Sequence, residues 1–137
     1  METWIEKPTE AQMVDIHKLM LQEWWSSTRT LSEVKSVIEG SDLVLTALDE
    51  DQQVVAFTRV LTDGIFKAVL FDVIVRADYR GTGIGATLIN KVRQHPTLSD
   101  VKSLELYCPD HVSGFYTKLG FKVSDSRLHL LKGFGGG

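Results

Sequence analysis

Apolar and polar positions along the chain switch between two periods, and the switches mark its elements. Met13, Ile16, Leu19 and Met20 recur at helical spacing, and Thr9-Glu-Ala-Gln12 reads as a capping box, so a helix is predicted over about 10–22. A second capping box, Thr30-Leu-Ser-Glu33, opens a helix that runs to about Glu39 and ends at Gly40. Leu43 to Leu48 and Val54 to Leu61 are apolar, strand-length runs separated by the polar Asp49-Glu-Asp-Gln-Gln53, which predicts a hairpin. Asp63-Gly64 is a further turn, followed by a long apolar strand, Ala68 to Val75, interrupted only by Asp72. Helical periodicity returns over about 83–94 and stops before Pro96. Ser103 to Cys108 alternates as a strand, and a short helix beginning at Asp110 or Ser113 ends with Gly120 as its C′ residue. Thr3 to Glu6 is read as a short first strand, and Phe121–Val123 with Arg127–Leu131 as a closing hairpin.

The predicted order is β-α-α-β-β-β-α-β-α-β-β. Strands outnumber helices, and tight turns join most neighbours. The expected fold is therefore an α/β (α+β) domain: a mixed, mainly antiparallel central sheet with helices on both faces. A single domain over 1–132 is expected, followed by a flexible glycine-rich tail over 133–137.

The strand from Ala68 to Val75 leads into Arg80-Gly81-Thr82-Gly83-Ile84-Gly85, and a helix follows at once. Alternating glycines let backbone N–H groups turn toward one point. The helix N-terminus adds partial positive charge there, and Arg80 adds a full one. This is the chemistry of a pyrophosphate cradle and points to a nucleotide-type cofactor. Gly81-x-Gly83-x-x-Ala86 also fits a loose dinucleotide fingerprint, which would make the chain an NAD-binding oxidoreductase. Its position past the middle, after a meander, disfavours that reading, and no Gly-Lys-Ser/Thr closes the loop as in a P-loop.

Arg80-x-x-Gly83-x-Gly85 after a Val/Ile-rich strand resembles the acyl-CoA site of the GCN5-related N-acetyltransferase (GNAT) superfamily. Leu104–Cys108 followed by Gly114-Phe115-Tyr116-Thr-Lys118-Leu-Gly120-Phe121 is similar to that family's strand, short helix and aromatic signature, and Ala56–Arg59 with Asp63-Gly64 to its third strand and turn. The likeness covers roughly 42–123, and within the family is nearest to small arylalkylamine-type enzymes. It implies acetyl-CoA as cosubstrate and a small-molecule amine as acceptor, with direct attack in a ternary complex. The family's sheet splays between the strands ending at Val75 and Cys108. The resemblance places the pantetheine arm in that gap, against the backbone of Val73, Ile74 and Val75. It sets the pyrophosphate on Arg80, Gly81, Thr82, Gly83, Ile84, Gly85 and Ala86, with Phe115 and Lys118 as further cofactor contacts.

The attacking amine must lose a proton. Asp72, the one charged residue in its strand, is the candidate base; the other reading makes it a structural partner of Arg59 or Arg76. His111 is a minor alternative, and a water relay can share the role. The resemblance makes Tyr116 the general acid for the departing thiolate; a packed core aromatic is the other reading. Trp24 and Trp25 lie where the family builds its acceptor pocket; two adjacent tryptophans cannot both face the core from one helix, so at least one lines a pocket or an interface, the other reading being that both pack in an irregular turn. Tyr79, at the mouth of the cradle, is a substrate contact or a surface packing residue. Cys108 is expected as an inert core residue.

Composition narrows the alternatives. A net charge of −3, with 15 scattered basic residues, speaks against nucleic acid or an anionic membrane as partner. One cysteine precludes an internal disulfide and fits a cytoplasmic setting. The four histidines lack metal-ligand spacing, so no metal is expected. No apolar run approaches the ~18 residues of a membrane span. The resemblance is also compatible with a homodimer. The competing functions are a protein or peptide N-acetyltransferase and a non-catalytic CoA-binding module.

Overall fold

A computed structural model describes residues 2–124 and 127–135. The chain divides into two compact units, 1–107 and 108–137.

The first unit holds strands β1 (Thr3–Ile5), β2 (Leu43–Leu48), β3 (Val54–Thr62), β4 (Lys67–Val75) and β5 (Ser103–Leu106), with helices α1 (Glu10–Leu21), α2 (Leu31–Gly40) and α3 (Ile84–Arg93). Single 3-10 turns occupy Ala77–Tyr79 and Pro96–Leu98. Both predicted capping boxes form. The Thr9 hydroxyl accepts from the Gln12 amide at 3.2 Å while the Gln12 side chain accepts from the Thr9 amide at 2.8 Å. Thr30 and Glu33 repeat the exchange at 3.1 and 2.8 Å, and the backbone bond from Thr30 holds the Glu33 carboxyl below its usual range.

The strands lie in the order β1-β2-β3-β4-β5. The first three pairings are antiparallel, and β4 pairs with β5 in parallel after the α3 crossover. All six positions of β2 are buried, which requires cover on both faces. On one face Val44 and Leu48 join Phe57 and Ile74 against Met13, Ile16, Leu19 and Met20 of α1 and Val34 and Ile38 of α2. Leu43, Leu45 and Ala47 point the other way, and α3, with Ile84, Leu88, Ile89 and Val92 buried, lies against β2, β3 and β4.

The second unit carries α4 (Asp110–Lys118), which opens after Pro109 and ends at Gly120 in the left-handed region (φ 96°).

Three expectations need correction. The closing hairpin does not form: residues 121–124 and 127–131 are without strand structure, and their intended turn at 125–126 lies outside the described residues. Val123, Leu128, Leu130 and Leu131 are all exposed. Alternating apolar residues make a strand only where an edge and a face receive them, and a lone hairpin is marginal in water. The strand expected to reach Cys108 stops at Leu106, opposite Leu70 of β4, and Pro109 follows without an amide to donate. Cys108 is accordingly half-buried rather than a core residue, and burial raises its thiol above the usual value. Of the expected tail, Gly133 to Gly135 are exposed, and 136–137 lie outside the described residues.

Candidate active site

The site begins where β4 loses its second partner. The β4–β5 pairing runs only from Lys67–Ser103 to Leu70–Leu106, whereas β4 continues to Val75. From Phe71 onward, β4 has no strand on its β5 side among the described residues. On the other side Ile74 still pairs with Phe57 and Val75 with Ala56. Between these pairings the ladder slips, and Asp72 takes φ 55°. This is a β-bulge, which redirects a side chain and bends its strand. An aspartate tolerates the left-handed region better than most residues. The Thr58 hydroxyl steadies the bulge by donating to the Phe71 carbonyl at 2.8 Å.

Asp72 ends up between two guanidinium groups. Arg59 Nε donates to its Oδ2 at 2.7 Å, and Arg29 Nη1 donates to the same oxygen at 2.8 Å. The carboxylate is 5% exposed, against 12% for the Arg59 side chain and 30% for Arg29. Arg59 also lies over the Phe71 ring (4.9 Å to its centre), and Arg29 over the Trp25 ring at 5.7 Å. Of the partners proposed from sequence, Arg59 holds and Arg76 does not. Arg76 pairs instead with Asp78 at 2.7 Å and Asp49 at 3.4 Å and covers the half-buried Tyr79 ring.

Arg29 escaped the sequence reading. It belongs to the irregular α1–α2 connection, one residue before the Thr30 cap. A lone arginine in a loop carries no pattern that announces a partner 43 positions away. Ser26 anchors the same connection by donating to the Met20 carbonyl at 2.6 Å, and His17 Nε2 lies 2.7 Å from the Arg29 carbonyl. Trp24 is 77% exposed and Trp25 38%, so both rings stand at the surface rather than packing together in the core.

The glycine turn follows β4. Gly81 and Gly83 have φ 78° and 88°, values open to glycine and strained for other residues, and space beside both is free. Gly83 is the N-cap of α3 and offers no side-chain cap. Thr87 is the first α3 residue whose amide returns to the turn, at the Gly83 carbonyl; those of Gly83, Ile84, Gly85 and Ala86 have no acceptor among the described residues. Arg80, 58% exposed, donates through Nη2 to Glu23 at 2.9 Å and through Nε to the Val75 carbonyl at 3.2 Å. Glu23 is a second partner that sequence alone did not reveal. It ties the α1–α2 connection to the glycine turn.

In the second unit, α4 carries Phe115, Tyr116 and Lys118. Tyr116 packs edge-on against Phe115 (5.0 Å) and Phe121 (5.8 Å). Burial, with a smaller contribution from Cys108, pushes its phenol up to about 12. Phe115 and Lys118 are exposed, and so is His111.

Among the described residues no group of histidine, cysteine and acidic side chains could hold a metal ion. No described helix is long and apolar enough to cross a membrane.

The family model for an acetyltransferase (GNAT) domain matches residues 7–129 of this chain. The chain belongs to the GNAT family. This acetyltransferase domain is also similar in structure to a GNAT-family protein from Xanthomonas campestris pv. campestris, with a TM-score of 0.86 and 26% identity over 98% of this chain and 94% of the other. In sequence it is 29% identical over 96 residues to the N-acetyltransferase ycf52 of Pyropia yezoensis (68% of this chain, 55% of the relative). It is 34% identical over 74 residues to the chloroplastic serotonin N-acetyltransferase 2 of Oryza sativa subsp. japonica (54% and 37%). The GNAT domain thus spans about half the length of several curated relatives it matches. The expected mixed, mainly antiparallel sheet with helices is the fold found.

Proposed function

We propose that this domain moves an acetyl group from acetyl-CoA to the primary amine of a small molecule, by direct attack in a ternary complex. The observation that carries the reading is the adjacency of two features among the described residues: a β4 edge open beyond Leu70, and four amides, Gly83 to Ala86, without acceptors at the start of α3. An extended amide-bearing arm fits the first as an added strand, along Val73, Ile74 and Val75. A pyrophosphate fits the second, with Arg80, Gly81 and Thr82 completing the cradle. Phe115 and Lys118 are assigned to the cofactor by their place in the α4 signature, and Trp24, Trp25 and Tyr79 to the acceptor.

In the reaction the amine nitrogen bonds to the thioester carbonyl carbon, the carbon–sulfur bond breaks, and one proton leaves the nitrogen while one reaches the sulfur. Two guanidinium groups already occupy Oδ2 of Asp72. A proton accepted there goes to Oδ1, directly or through water. Tyr116 stays protonated at any working pH because its phenol is pushed to about 12. Full transfer from such a phenol to a thiolate near the usual thiol value is uphill by roughly 5 kcal/mol. Its role is therefore hydrogen-bond donation to the departing sulfur, with solvent completing protonation.

The test is thiol release from acetyl-CoA across primary amines, with mass spectrometry of the N-acetyl product. Release that depends on a small amine is expected. Release with lysine-bearing peptides alone would select the protein acetyltransferase reading, and binding without release the non-catalytic one.

A further inference from the structure

The polar cluster around Asp72 is unbalanced. One carboxylate faces two guanidinium groups, which leaves one net positive charge in a half-buried place. Such a charge is costly to keep without a counter-ion. Each guanidinium has five N–H donors. Arg29 uses Nη1, toward Asp72 and the Met20 sulfur, and Arg59 uses only Nε. Their other donors meet no acceptor in the described protein. Arg29 and the ring of Trp25 remain partly open to solvent, and Trp24 more so. The cluster sits on the bulge at Asp72, two residues past the end of the β4–β5 pairing, at the margin of the open edge.

We infer that Arg29 and Arg59 receive an anionic group of the acceptor, and that the acceptor is an aromatic amine with a carboxylate beside its amine. This rests on the small-amine acetyltransferase reading above. A guanidinium with free donors matches a carboxylate with two parallel hydrogen bonds, a geometry that an ammonium or a neutral ring cannot use. The same contact supplies the missing negative charge. Trp25, stacked on Arg29, offers a flat apolar surface to the acceptor body next to that contact. Asp72, fixed by both arginines, is the positioning residue that sets their spacing. A decarboxylated arylalkylamine would leave the spare donors unmatched.

Matched pairs test this on the wild-type protein: tryptophan against tryptamine, and phenylalanine against phenethylamine, each with saturating acetyl-CoA. A charge-assisted contact of this kind predicts kcat/KM roughly tenfold or more higher for the carboxylated member. Arg29→Gln should shrink that preference to about threefold or less, chiefly through KM for the carboxylated member. The Kd for acetyl-CoA, read by calorimetry, serves as the check that the variant is folded. Equal or better turnover of tryptamine and phenethylamine would overturn the inference and leave the small-amine reading intact. No acetylation of either member, by protein that binds acetyl-CoA, would overturn the inference; the small-amine reading falls only when the wider panel of primary amines fails as well. Should Arg29→Gln not fold, the wild-type pairs decide alone.

Discussion

Asp72 and the glycine turn lie on consecutive stretches of the chain, yet the cluster around Asp72 and the turn are built on opposite principles. The turn is made of backbone. Its working groups are amides that α3 cannot satisfy itself, and its conformation is set by Gly81 and Gly83 within a few residues. The cluster is made of side chains. Asp72, Arg59 and Arg29 come from β4, β3 and the α1–α2 connection, and each is placed by the fold rather than by its neighbours in sequence. On the proposed reading, the turn serves a chemical group common to many ligands, and the cluster is where this chain distinguishes its acceptor.

Removing the anion at the centre of the cluster gives the largest expected effect. Asp72→Ala leaves two guanidinium groups facing each other and an alanine in the left-handed region. Unfolding in urea should show a loss of about 3 kcal/mol. Asp72→Asn should recover roughly 1 kcal/mol of that, since asparagine tolerates the backbone conformation. A loss below about 1 kcal/mol for both would mean that the cluster is not organised around Asp72. Asn at 72 also tests the proton route: full activity with an unchanged pH profile removes Asp72 from it.

How much of this was legible in the sequence follows the same division. The strands from Leu43, Val54 and Ala68, both capping boxes and the glycine turn could be read directly, because each is a local pattern whose physical cause lies within one helical turn or one hairpin. The closing hairpin was misread because the Leu128 and Leu130 alternation gives a period and no partner edge. Arg29 and Glu23 could not be read at all. Their importance is a contact, to Asp72 in one case and Arg80 in the other, that exists only once α1 and α2 pack on the sheet. Asp72 lies between these cases. Its oddity in an apolar strand is visible in the sequence, and of its two candidate partners Arg59 pairs with it whereas Arg76 pairs with Asp78 and Asp49.

Tyr116 belongs to neither region and separates chemistry from binding. Tyr116→Phe removes the hydrogen bond to the departing sulfur and should lower kcat about 30-fold, the scale of a lost hydrogen bond to a charged group, with Kd for acetyl-CoA nearly unchanged. Its raised phenol also has a consequence for stability. The folded state keeps the proton to about 12, whereas the unfolded chain releases it near the ordinary value of about 10. Stability from this group is complete below pH 10 and is lost as the pH rises from there toward 12. Wild-type protein should lose more stability than Tyr116→Phe across that window, and parallel curves would show that the phenol titrates normally.

Trp25→Ala bears on the acceptor side of the comparison. Loss of the ring over Arg29 should raise KM for the acceptor by roughly fivefold to tenfold and spare that for acetyl-CoA. The reverse pattern would move Trp25 out of the acceptor site. Glu23→Gln is the smallest change and the one that tests the link between the two regions. It frees Arg80, so acetyl-CoA should bind tighter, by at most about fivefold, the scale of an exposed ion pair. Weaker binding would mean that Glu23 positions Arg80 rather than competing for it.

The central claim, that the turn after β4 is a cradle for the cofactor's pyrophosphate, is tested most directly by isothermal titration of the protein with acetyl-CoA, alongside Gly83→Glu. That substitution places a side chain at φ 88° and a negative charge among the free amides, while the space beside Gly83 is otherwise open. Micromolar binding by the wild type, abolished in a variant with an unchanged far-ultraviolet spectrum, is the predicted result. Equal binding by both proteins, or none by the wild type with and without acceptor amines, would contradict it.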